Sequence, residues 1–504
     1  MLYAPSVGDL FDSVKYLLNK GENMGKIIIL LIGILVGCLL VALVRTLLLP
    51  RKVSTYALST DEKRIAEYAN KLSKMIQVET ISRRDCAEVE KFRNFHRLLE
   101  QLFPSVFAHC EKTEIDGNLL LRWKGKSEQE PILLMSHMDV VEANGDWRFP
   151  PFSGTIAEGK IWGRGSADTK CSLMAILQSI EELIKDGYLP ICDVYVASGC
   201  TEETIGDGAI KLVRYLKERG VRPFLVCDEG GSVIQDPIPG VKGHFAAVGI
   251  FEKGYGDVKF IARSKGGHAS APGRNTPIAR LAKFVNHVET HNPFRVAFSP
   301  AVNAMFTRLA PYADAFYMRF ILHNLWLFRP LLRKVMPMIS AQGAAMLQTT
   351  IAFTMQSGSQ GYNVLPQTAE VCANMRFIPH QGTEESLDII SKLARKYSLE
   401  TEVIYKGEPS NSLDLNGEAF ALIQNTIQSC FPQISILPYV VTGGTDAKFY
   451  DEICENCVRF SPVNYGPEQL AGMHGLNENL EIGTLPGAVD YYKAIIKAQE
   501  GRKK

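Results

Sequence analysis

Acidic and imidazole side chains come directly after three short apolar runs of this sequence. The side chains are His137, Asp139, Glu202, Glu203 and Asp228, and the runs before them are Ile132–Met135, Val194–Ser198 and Phe224–Cys227. Short apolar runs are typical of buried strands, and in open α/β sheets ligand crevices form beyond the carboxyl ends of the strands. Several His, Asp and Glu side chains gathered at one such edge predict a metal site.

The residue types suit hydrolysis of an amide by activated water. A pair of divalent metals can activate water and polarise a carbonyl, and such a pair needs one shared carboxylate and about two further ligands per metal. His137 is a first ligand, and Asp139 emerges on the same side of a strand, where it can hold the other imidazole nitrogen. Asp168 precedes a clear amphipathic helix and can bridge the metals. Of Glu202 and Glu203, one can bind metal while the other faces the water.

Each of these motifs also has an ordinary structural interpretation. A His-x-Asp pair occurs by chance, a Glu-Glu pair is usually a solvated helix face, and Asp228 can cap the next element. The metal interpretation is favoured because all of them follow strand-like runs within one stretch of the chain.

The elements that must position these residues follow an α/β pattern. Apolar runs alternate with helical patterns from about Thr60 to Gly249, which is typical of a mainly parallel sheet. The helix after Asp168 is the clearest, because apolar residues recur with helical periodicity until Gly187 and Pro190 end it.

The pattern changes in the middle of the chain. Alternating residues at 257–263 predict a half-exposed strand, and residues 286–346 predict apolar, aromatic helices. The predicted catalytic α/β domain comprises residues 55–248 and 407–500, and residues 249–406 form an inserted α+β domain.

Composition is that of an ordinary globular protein, with one exception near the N-terminus. A chain of 504 residues is expected to form at least two domains, and a net charge of +1 gives no electrostatic case for nucleic acid. After an N-terminal segment, residues 1–26, the run Ile27–Val44 carries no charge, and we predict one transmembrane helix at 27–49. The alternatives are a buried core helix and a signal peptide. Basic residues bracket the run and no small-residue cleavage site ends it, which favours a single-pass membrane protein.

The membrane orientation rests on weaker signals. Basic residues flank the apolar run almost equally on both sides. The chain has 11 cysteines, an odd number, and contains no Asn-x-Ser/Thr acceptor. These features favour a catalytic part on the cytoplasmic side.

Six motifs in order carry a resemblance to a known family. They are Gly159-Lys-Ile-Trp-Gly-Arg-Gly-Ser-Ala-Asp168, Thr201-Glu-Glu-Thr204, Gly266-Gly-His-Ala-Ser270, Asn374-Met-Arg376, Gly443-Gly-Thr-Asp446 and Met473-His474-Gly-Leu-Asn-Glu478. Over roughly residues 65–500 the sequence resembles the dizinc aminoacylase/carboxypeptidase family. Trp326–Leu332 and Arg459–Pro462 are most similar to its carboxypeptidase S branch, which includes the N-acyl amino acid hydrolases of animals. The resemblance implies a zinc-exopeptidase-like fold with the inserted domain as lid or dimerisation domain.

The resemblance also implies a set of two Zn²⁺ ions and their ligands. His137 and Asp228 would hold one ion, Glu203 and His474 would hold the other, and Asp168 would bridge them. Glu202 would be the general base and then the proton donor, and Asp139 would orient His137.

Three further roles are implied for residues of the inserted domain. His268 would stabilise the tetrahedral oxyanion, often from a partner subunit in this family, which allows a homodimer. Arg376 and Asn275 would receive the substrate carboxylate, for which a guanidinium is well suited. Thr169 departs from the family, many members of which carry a second Asp there, and the Asp168–Thr169 peptide is expected to be cis.

Together these inferences predict a membrane-anchored zinc hydrolase. It would cleave the amide bond next to a free carboxylate, in small peptides or in N-acyl amino acids. The alternative is a catalytically inactive peptide-binding homologue, against which the presence of Glu202 and all five ligands argues.

Overall fold

The structure is a computed structural model that describes residues 24–83 and 88–502. Residues 1–23, most of the predicted N-terminal segment, lie outside this part of the chain. The helices, numbered in chain order, are α1 (Met24–Leu47), α2 (Glu62–Gln77), α3 (Val89–Leu102), α4 (Pro104–His109), α5 (Lys170–Lys185), α6 (Gly208–Glu218), α7 (Pro277–Thr290), α8 (Pro300–Leu309), α9 (Phe316–His323), α10 (Leu325–Ile339), α11 (Ala341–Leu347), α12 (Gly382–Lys396), α13 (Glu418–Cys430), α14 (Ala447–Tyr450), α15 (Pro467–Gly472) and α16 (Leu485–Ala498).

The strands form one large sheet and several smaller ones. They are β1 (Cys110–Ile115), β2 (Asn118–Trp123), β3 (Ile132–Met135), β4 (Thr155–Ala157), β5 (Lys160–Trp162), β6 (Val194–Ser198), β7 (Leu225–Asp228), β8 (Ser232–Gln235), β9 (His244–Glu252), β10 (Gly254–Arg263), β11 (Gly267–His268), β12 (Thr350–Ser357), β13 (Val364–Leu365), β14 (Thr368–Phe377), β15 (Glu400–Lys406), β16 (Ser435–Val441), β17 (Cys457–Arg459), β18 (Asn464–Tyr465) and β19 (Asn479–Glu481).

The large sheet has the order β1-β2-β6-β3-β7-β17-β9-β8-β18, with β16 also pairing with β9. Its central strands β6, β3, β7 and β17 run parallel, as predicted, because each is reached through a crossover connection. The strands β1, β2 and β8 pair antiparallel, so the sheet is mixed.

Burial on both faces explains the apolar runs of the central strands. On β3, Leu134 belongs to the cluster that contains the α5 residues, whereas Leu133 belongs to the cluster that contains the α6 residues. Successive side chains of a strand point to opposite faces, so both faces of this strand require apolar residues. The amphipathic helix predicted after Asp168 is confirmed as α5.

A four-stranded antiparallel sheet forms a second core. Its order is β12-β14-β10-β15, and β14 alternates buried and partly exposed residues along its length. Phe260 of this sheet packs against Phe284 of α7, and Ile390 of α12 joins the same cluster. The half-exposed strand predicted at 257–263 therefore lies in this smaller sheet.

The helices between the two sheets belong to the core of the large one. Val302, Phe306 and Leu309 of α8 cluster with Phe245 of β9 and Val440 of β16. Residues 249–406 thus contribute to two cores, and the predicted domain boundaries stay a prediction.

The N-terminal helix α1 is apolar and exposed. Its segment Ile28–Leu47 is 20 residues long, has a mean hydropathy of 2.9 and is 6% buried. By length and composition this helix is a candidate for a membrane span or a signal sequence.

Candidate metal centre

The loops at the carboxyl ends of the central strands bring the predicted residues together. His137 follows β3, the Glu202–Glu203 pair follows β6, and Asp168 lies just before α5. Because β3 pairs in parallel with β6, the ends of the two strands open at the same edge of the sheet. These residues therefore meet although they are distant in sequence.

Asp168 lies between two imidazoles and contacts one with each oxygen. Its Oδ1 is 3.0 Å from His137 Nε2, and its Oδ2 is 3.1 Å from His474 Nε2. His474 Nε2 is also 3.0 Å from Glu203 Oε2. This geometry matches a carboxylate shared by two sites, each with one imidazole. The hydrogen bonds to Asp168 and then to Glu203 raise the pKa of His474 to about 10.

Two groups of potential ligands share His137. One group is His137, Asp168 and Glu203, and the other is His137, Glu202 and Glu229; within each, the ligand atoms lie within 4.8 Å of one another. Imidazole nitrogens and carboxylate oxygens are the ligands of catalytic zinc sites. The residues present therefore fit a metal pair.

Asp139 orders both the histidine and the glutamate pair. His137 Nδ1 is 2.9 Å from the Asp139 backbone oxygen and 3.5 Å from its carboxylate, which leaves Nε2 directed at Asp168. The Asp139 carboxylate accepts hydrogen bonds from the backbone nitrogens of Glu202 and Glu203 at 3.3 and 3.1 Å. The hydroxyl of Ser82 donates to the same carboxylate at 2.6 Å. Asp139 thus joins the loop after β3 to the loop after β6.

Glu202 lies in a buried and strongly acidic part of the site. Burial raises the pKa of its carboxyl well above the usual range, and the neighbouring Asp446 and Glu229 raise it further, against the opposing effect of His137. The raised pKa makes this carboxyl a stronger base than an ordinary glutamate, which suits it to accept a proton and later donate it.

Asp228 and Glu229 occupy different positions in the site. Asp228 Oδ1 accepts the Glu229 backbone N–H at 2.9 Å, and its Oδ2 accepts that of Ala447 at 2.9 Å. Glu229 Oε1, in contrast, is 3.8 Å from His137 Nε2. Sequence reasoning named Asp228 as a ligand and assigned no role to the adjacent Glu229, and the prediction for Asp228 stays a prediction. The only available signal in the sequence was the alternation of side-chain direction along a strand, which predicts that residues 228 and 229 point to different sides.

Glu478 is a second residue that sequence reasoning did not assign. This buried carboxylate accepts the backbone N–H groups of Gly165, Ala167 and Asp168 on Oε1, at 3.1, 2.8 and 3.0 Å. Its Oε2 is 2.7 Å from Arg164 Nη1. The loop that carries Asp168 is therefore tied to the loop that carries His474. The Asp168–Thr169 peptide is cis, as predicted.

The remaining predicted residues lie outside the large sheet. Arg376 is on β14 of the four-stranded sheet, and His268 is on β11, which pairs with β13 in a separate two-stranded sheet. His268 is exposed in β11, with its Nδ1 2.7 Å from Ser270 Oγ, and Asn275 is exposed and accepts a hydrogen bond from Lys283. Among the described residues, no hydrogen bond or ion pair joins His268 or Asn275 to the metal cluster.

Arg376 lies nearer to the loops of the large sheet. Its guanidinium stacks 4.7 Å from the centre of the Tyr255 ring. A Cβ atom on Gly444 would lie 4.0 Å from Arg376 Nη1, and Gly444 belongs to the same loop as Asp446. This guanidinium therefore borders the loop whose acidic residue neighbours Glu202.

A mixed α/β sheet with two imidazoles and several carboxylates at its carboxyl edge is the arrangement of a metal-dependent hydrolase. Residues 133–498 match the model of peptidase family M20/M25/M40, so the chain belongs to that family. The predicted family and enzyme class are confirmed.

Relatives in this family include peptidases and acylamino acid hydrolases. The chain is 33% identical to a probable carboxypeptidase S-like 2 of Dictyostelium discoideum, over 96% of each chain. It is 30% identical to an N-fatty-acyl-amino acid synthase/hydrolase of Homo sapiens, over 86% of this chain and 88% of that one. An M20 family metallo-carboxypeptidase from Sulfolobus solfataricus shares the fold with a TM-score of 0.63 and 17% identity, over 86% of this chain and 98% of that one.

Proposed function

We propose that this protein is a zinc-dependent hydrolase that cleaves the amide bond next to a free carboxylate. The observation that carries the proposal is Asp168, whose two carboxylate oxygens each contact one imidazole. In this proposal Asp168 would be shared by two Zn²⁺ ions, and Glu203 and His474 would complete the ligands of one of them.

The other site uses His137 and Glu229. Asp228 was predicted for this position, but the group of potential ligands around His137 and Glu202 contains Glu229, whose carboxylate lies 3.8 Å from His137 Nε2, while the Asp228 oxygens accept two backbone N–H groups. We therefore assign the ligand to Glu229. The Asp228 carboxylate then fixes the loop that precedes Ala447, because it accepts the Ala447 backbone N–H.

The reaction needs a proton to be taken from water and given to the leaving nitrogen. When bound, the metal pair lowers the pKa of water and polarises the scissile carbonyl. Glu202 accepts the proton and later donates it, which agrees with its raised pKa and its place beside His137. Asp139 holds His137 and the Glu202 backbone in position.

The substrate carboxylate is assigned to Arg376. A guanidinium beside the Gly443–Asp446 loop can pair with a carboxylate in two parallel hydrogen bonds. Small peptides and N-acyl amino acids both present this group, and the names of the relatives cover both classes. His268 and Asn275 would act only after they are brought to the site. Either the smaller sheet would close over the site as a lid, or a partner copy in a homodimer would supply the two residues.

Helix α1 is assigned as a single-pass membrane anchor. Most of its apolar residues are exposed along the segment Ile28–Leu47, which a soluble protein would bury. The described cysteines are free thiols, which favours the cytoplasmic side for the catalytic part.

The test is turnover by the full chain in detergent with added zinc. The panel compares blocked dipeptides with long-chain N-acyl amino acids and follows release of the free amino acid. Glu202→Gln is expected to lose activity about 10²- to 10⁴-fold with its metal content unchanged. Glu218→Gln, an exposed glutamate at the end of α6, is the matched control and should keep full activity. Ligand binding without turnover by wild type would instead establish an inactive binding homologue.

A further inference from the structure

The helices α9 and α10 are joined through Asn324 and are together called the α9–α10 hairpin, residues 316–339; helix α9 packs against the membrane-anchor helix. At its corner the buried Asn324 donates from Nδ2 to the Ala42 backbone oxygen at 3.1 Å and to Thr46 Oγ1 at 2.9 Å. Arg319 donates to the backbone oxygen of Leu49. The α9–α10 hairpin is therefore joined to α1 by specific polar contacts as well as by packing.

These contacts fix the height of the hairpin along α1. The less exposed residues of α1 are Ile34, Cys38, Ala42 and Thr46, which recur every fourth position and so lie on one side of the helix. A 20-residue segment is about 30 Å long, which equals the hydrocarbon thickness of a bilayer. Ala42 and Thr46 belong to the last two turns of that segment. The corner of the hairpin consequently lies at the level where the hydrocarbon meets the headgroups.

The hairpin exposes several large apolar side chains in the described part of the chain. Large apolar side chains are exposed at six positions, Phe316, Tyr317, Trp326, Leu331, Met338 and Ile339. Met338 and Ile339 are 83% and 73% exposed. Contiguous exposed apolar residues mark a protein or membrane contact, and aromatic residues are enriched where membrane meets water.

Positive charge accompanies this apolar surface. Residues 315–347 contain no Asp or Glu, whereas α10 carries Arg329, Arg333 and Lys334. No ion pair among the described residues involves these three side chains. A pocket between Trp326, Arg329, Pro330 and Arg333 places an aromatic ring beside two guanidinium groups. Such a combination suits the phosphate groups of anionic lipids.

We propose that the α9–α10 hairpin is a second membrane contact, embedded in the interface of the leaflet beside α1. Its apolar side chains enter the acyl region, and Arg329, Arg333 and Lys334 bind anionic headgroups. A lipid surface is favoured over a second protein because the hairpin adjoins the proposed span at interface height and carries only positive charge. The inference rests on the proposed role of α1 as a membrane anchor.

Tryptophan fluorescence in vesicles tests the contact directly. The full chain is reconstituted into phosphatidylcholine vesicles with and without brominated acyl chains, and wild type is compared with Trp326→Phe. The difference in emission between wild type and Trp326→Phe is the emission of Trp326, and brominated lipid should quench it. The emission that remains in Trp326→Phe comes from the other three tryptophans and should change little. Unquenched Trp326 emission would overturn the proposal.

A tryptophan placed at another position of the hairpin controls for indirect effects on the fluorescence of Trp326. In the Trp326→Phe background, Met338→Trp should restore quenching by brominated lipid. Leu189→Trp, at an exposed position on the loop between α5 and β6, should not. Disulfide crosslinking between copies through Met338→Cys, together with unquenched Trp326, would show a protein interface in place of the lipid contact.

A separate measurement tests the proposed preference for anionic headgroups. Quenching of Trp326 should be stronger when the bromine is on phosphatidylserine than on phosphatidylcholine in the same mixed vesicles. The double variant Arg333→Gln/Lys334→Gln should lose this difference, because both side chains are exposed and their charge is removed. Equal quenching in wild type would contradict the headgroup assignment.

Failure of the anchor is distinguishable from failure of the hairpin contact. A chain that does not float with the vesicles after alkaline carbonate extraction would refute the span itself. A chain that floats, hydrolyses substrate and leaves Trp326 unquenched would refute only the hairpin contact.

Discussion

The backbone nitrogen of Asp168 donates a hydrogen bond of 3.0 Å to Glu478 Oε1, across a separation of 310 residues. The same oxygen accepts two further backbone N–H groups of this loop, and Arg164 neutralises the other oxygen. Four residues before Glu478 stands His474, the imidazole that contacts Asp168. One buried carboxylate therefore ties the loop of Asp168 to the loop of a histidine from the far end of the chain.

Glu478→Gln is expected to weaken both stability and metal binding. The amide would leave the Arg164 charge buried without its partner, which costs about 3–5 kcal/mol of unfolding free energy. Misplacement of Asp168 should lower zinc affinity about 10- to 100-fold. Urea unfolding and zinc competition with a chelating dye measure the two effects. Glu468→Gln, which removes an exposed partner of Lys160, is the control and should change stability by less than about 1 kcal/mol.

Glu229 and Asp228 are expected to differ in metal content. Glu229→Gln removes a proposed ligand beside His137, so under the proposal of two zinc sites the bound zinc should fall from two ions to one per chain. Asp228→Asn alters a side chain that accepts two backbone N–H groups, so it should lower thermal stability while both ions remain. Elemental analysis after gel filtration compares the two variants. The reverse pattern would restore Asp228 as the ligand.

Metal stabilisation is expected to grow with pH above neutrality. In the metal-free protein the pKa of His474 is raised to about 10 by its hydrogen bonds to Asp168 and Glu203, against an ordinary value of 6.5. Its contribution to stability is complete below pH 6.5 and is lost as pH rises towards 10. Metal binds the neutral imidazole, so the metal-loaded protein does not incur this loss.

The difference in Tm between zinc-loaded and EDTA-treated protein should therefore increase from pH 6.5 to 8.5. Scanning fluorimetry across that range measures it, and a pH indicator should detect proton release when zinc is added. His474→Gln should reduce both effects. A Tm difference that is independent of pH would show that the imidazole carries no proton in the metal-free protein.

Arg376→Lys is expected to raise KM more than it lowers kcat. Lysine keeps the charge but loses the paired geometry, and a hydrogen bond to a charged group is worth about 1.5–3 kcal/mol. That corresponds to an increase in KM of about 10- to 100-fold. Arg263→Lys, in the neighbouring strand β10 and paired with the exposed Glu400, is the control. Equal loss of activity on free acids and on their methyl esters would argue against a role in carboxylate binding.

The buried ion pair of Arg459 with Glu252 is expected to stabilise the Gly443–Asp446 loop. Glu252 Oε2 is 3.2 Å from Arg459 Nε and accepts the Thr445 backbone N–H at 3.1 Å, and neither ionic side chain is exposed. Arg459→Met should cost about 3–5 kcal/mol of unfolding free energy, because Glu252 remains buried without a cation. Adding Glu252→Gln should recover part of that loss. Urea unfolding of the single and double variants measures the coupling, and simple additivity would contradict it.

The local sequence pattern was sufficient to predict an element wherever burial of that element imposes the pattern. The strands β3, β6 and β7 are buried on both faces, so each appears as an uninterrupted apolar run, and the polar residues that follow mark the edge of the sheet. Helix α5 was predictable for the same reason, because its buried leucines and isoleucines repeat with helical periodicity. The exposed α1 was predictable from its long uncharged apolar run. His474 required the family resemblance, because a histidine in a loop carries no periodic signal.

The sequence by itself thus determined the central parallel strands, the polar edge of the sheet and, through the family resemblance, the hydrolase class. Only the tertiary structure decided which of Asp228 and Glu229 faces His137, because the choice depends on how the chain turns at the end of β7. It also decided that Glu478 holds Asp168 and that Asn324 holds α1, since each pair is hundreds of residues apart. Contacts between distant segments follow from packing of the whole chain, and no local spacing encodes them.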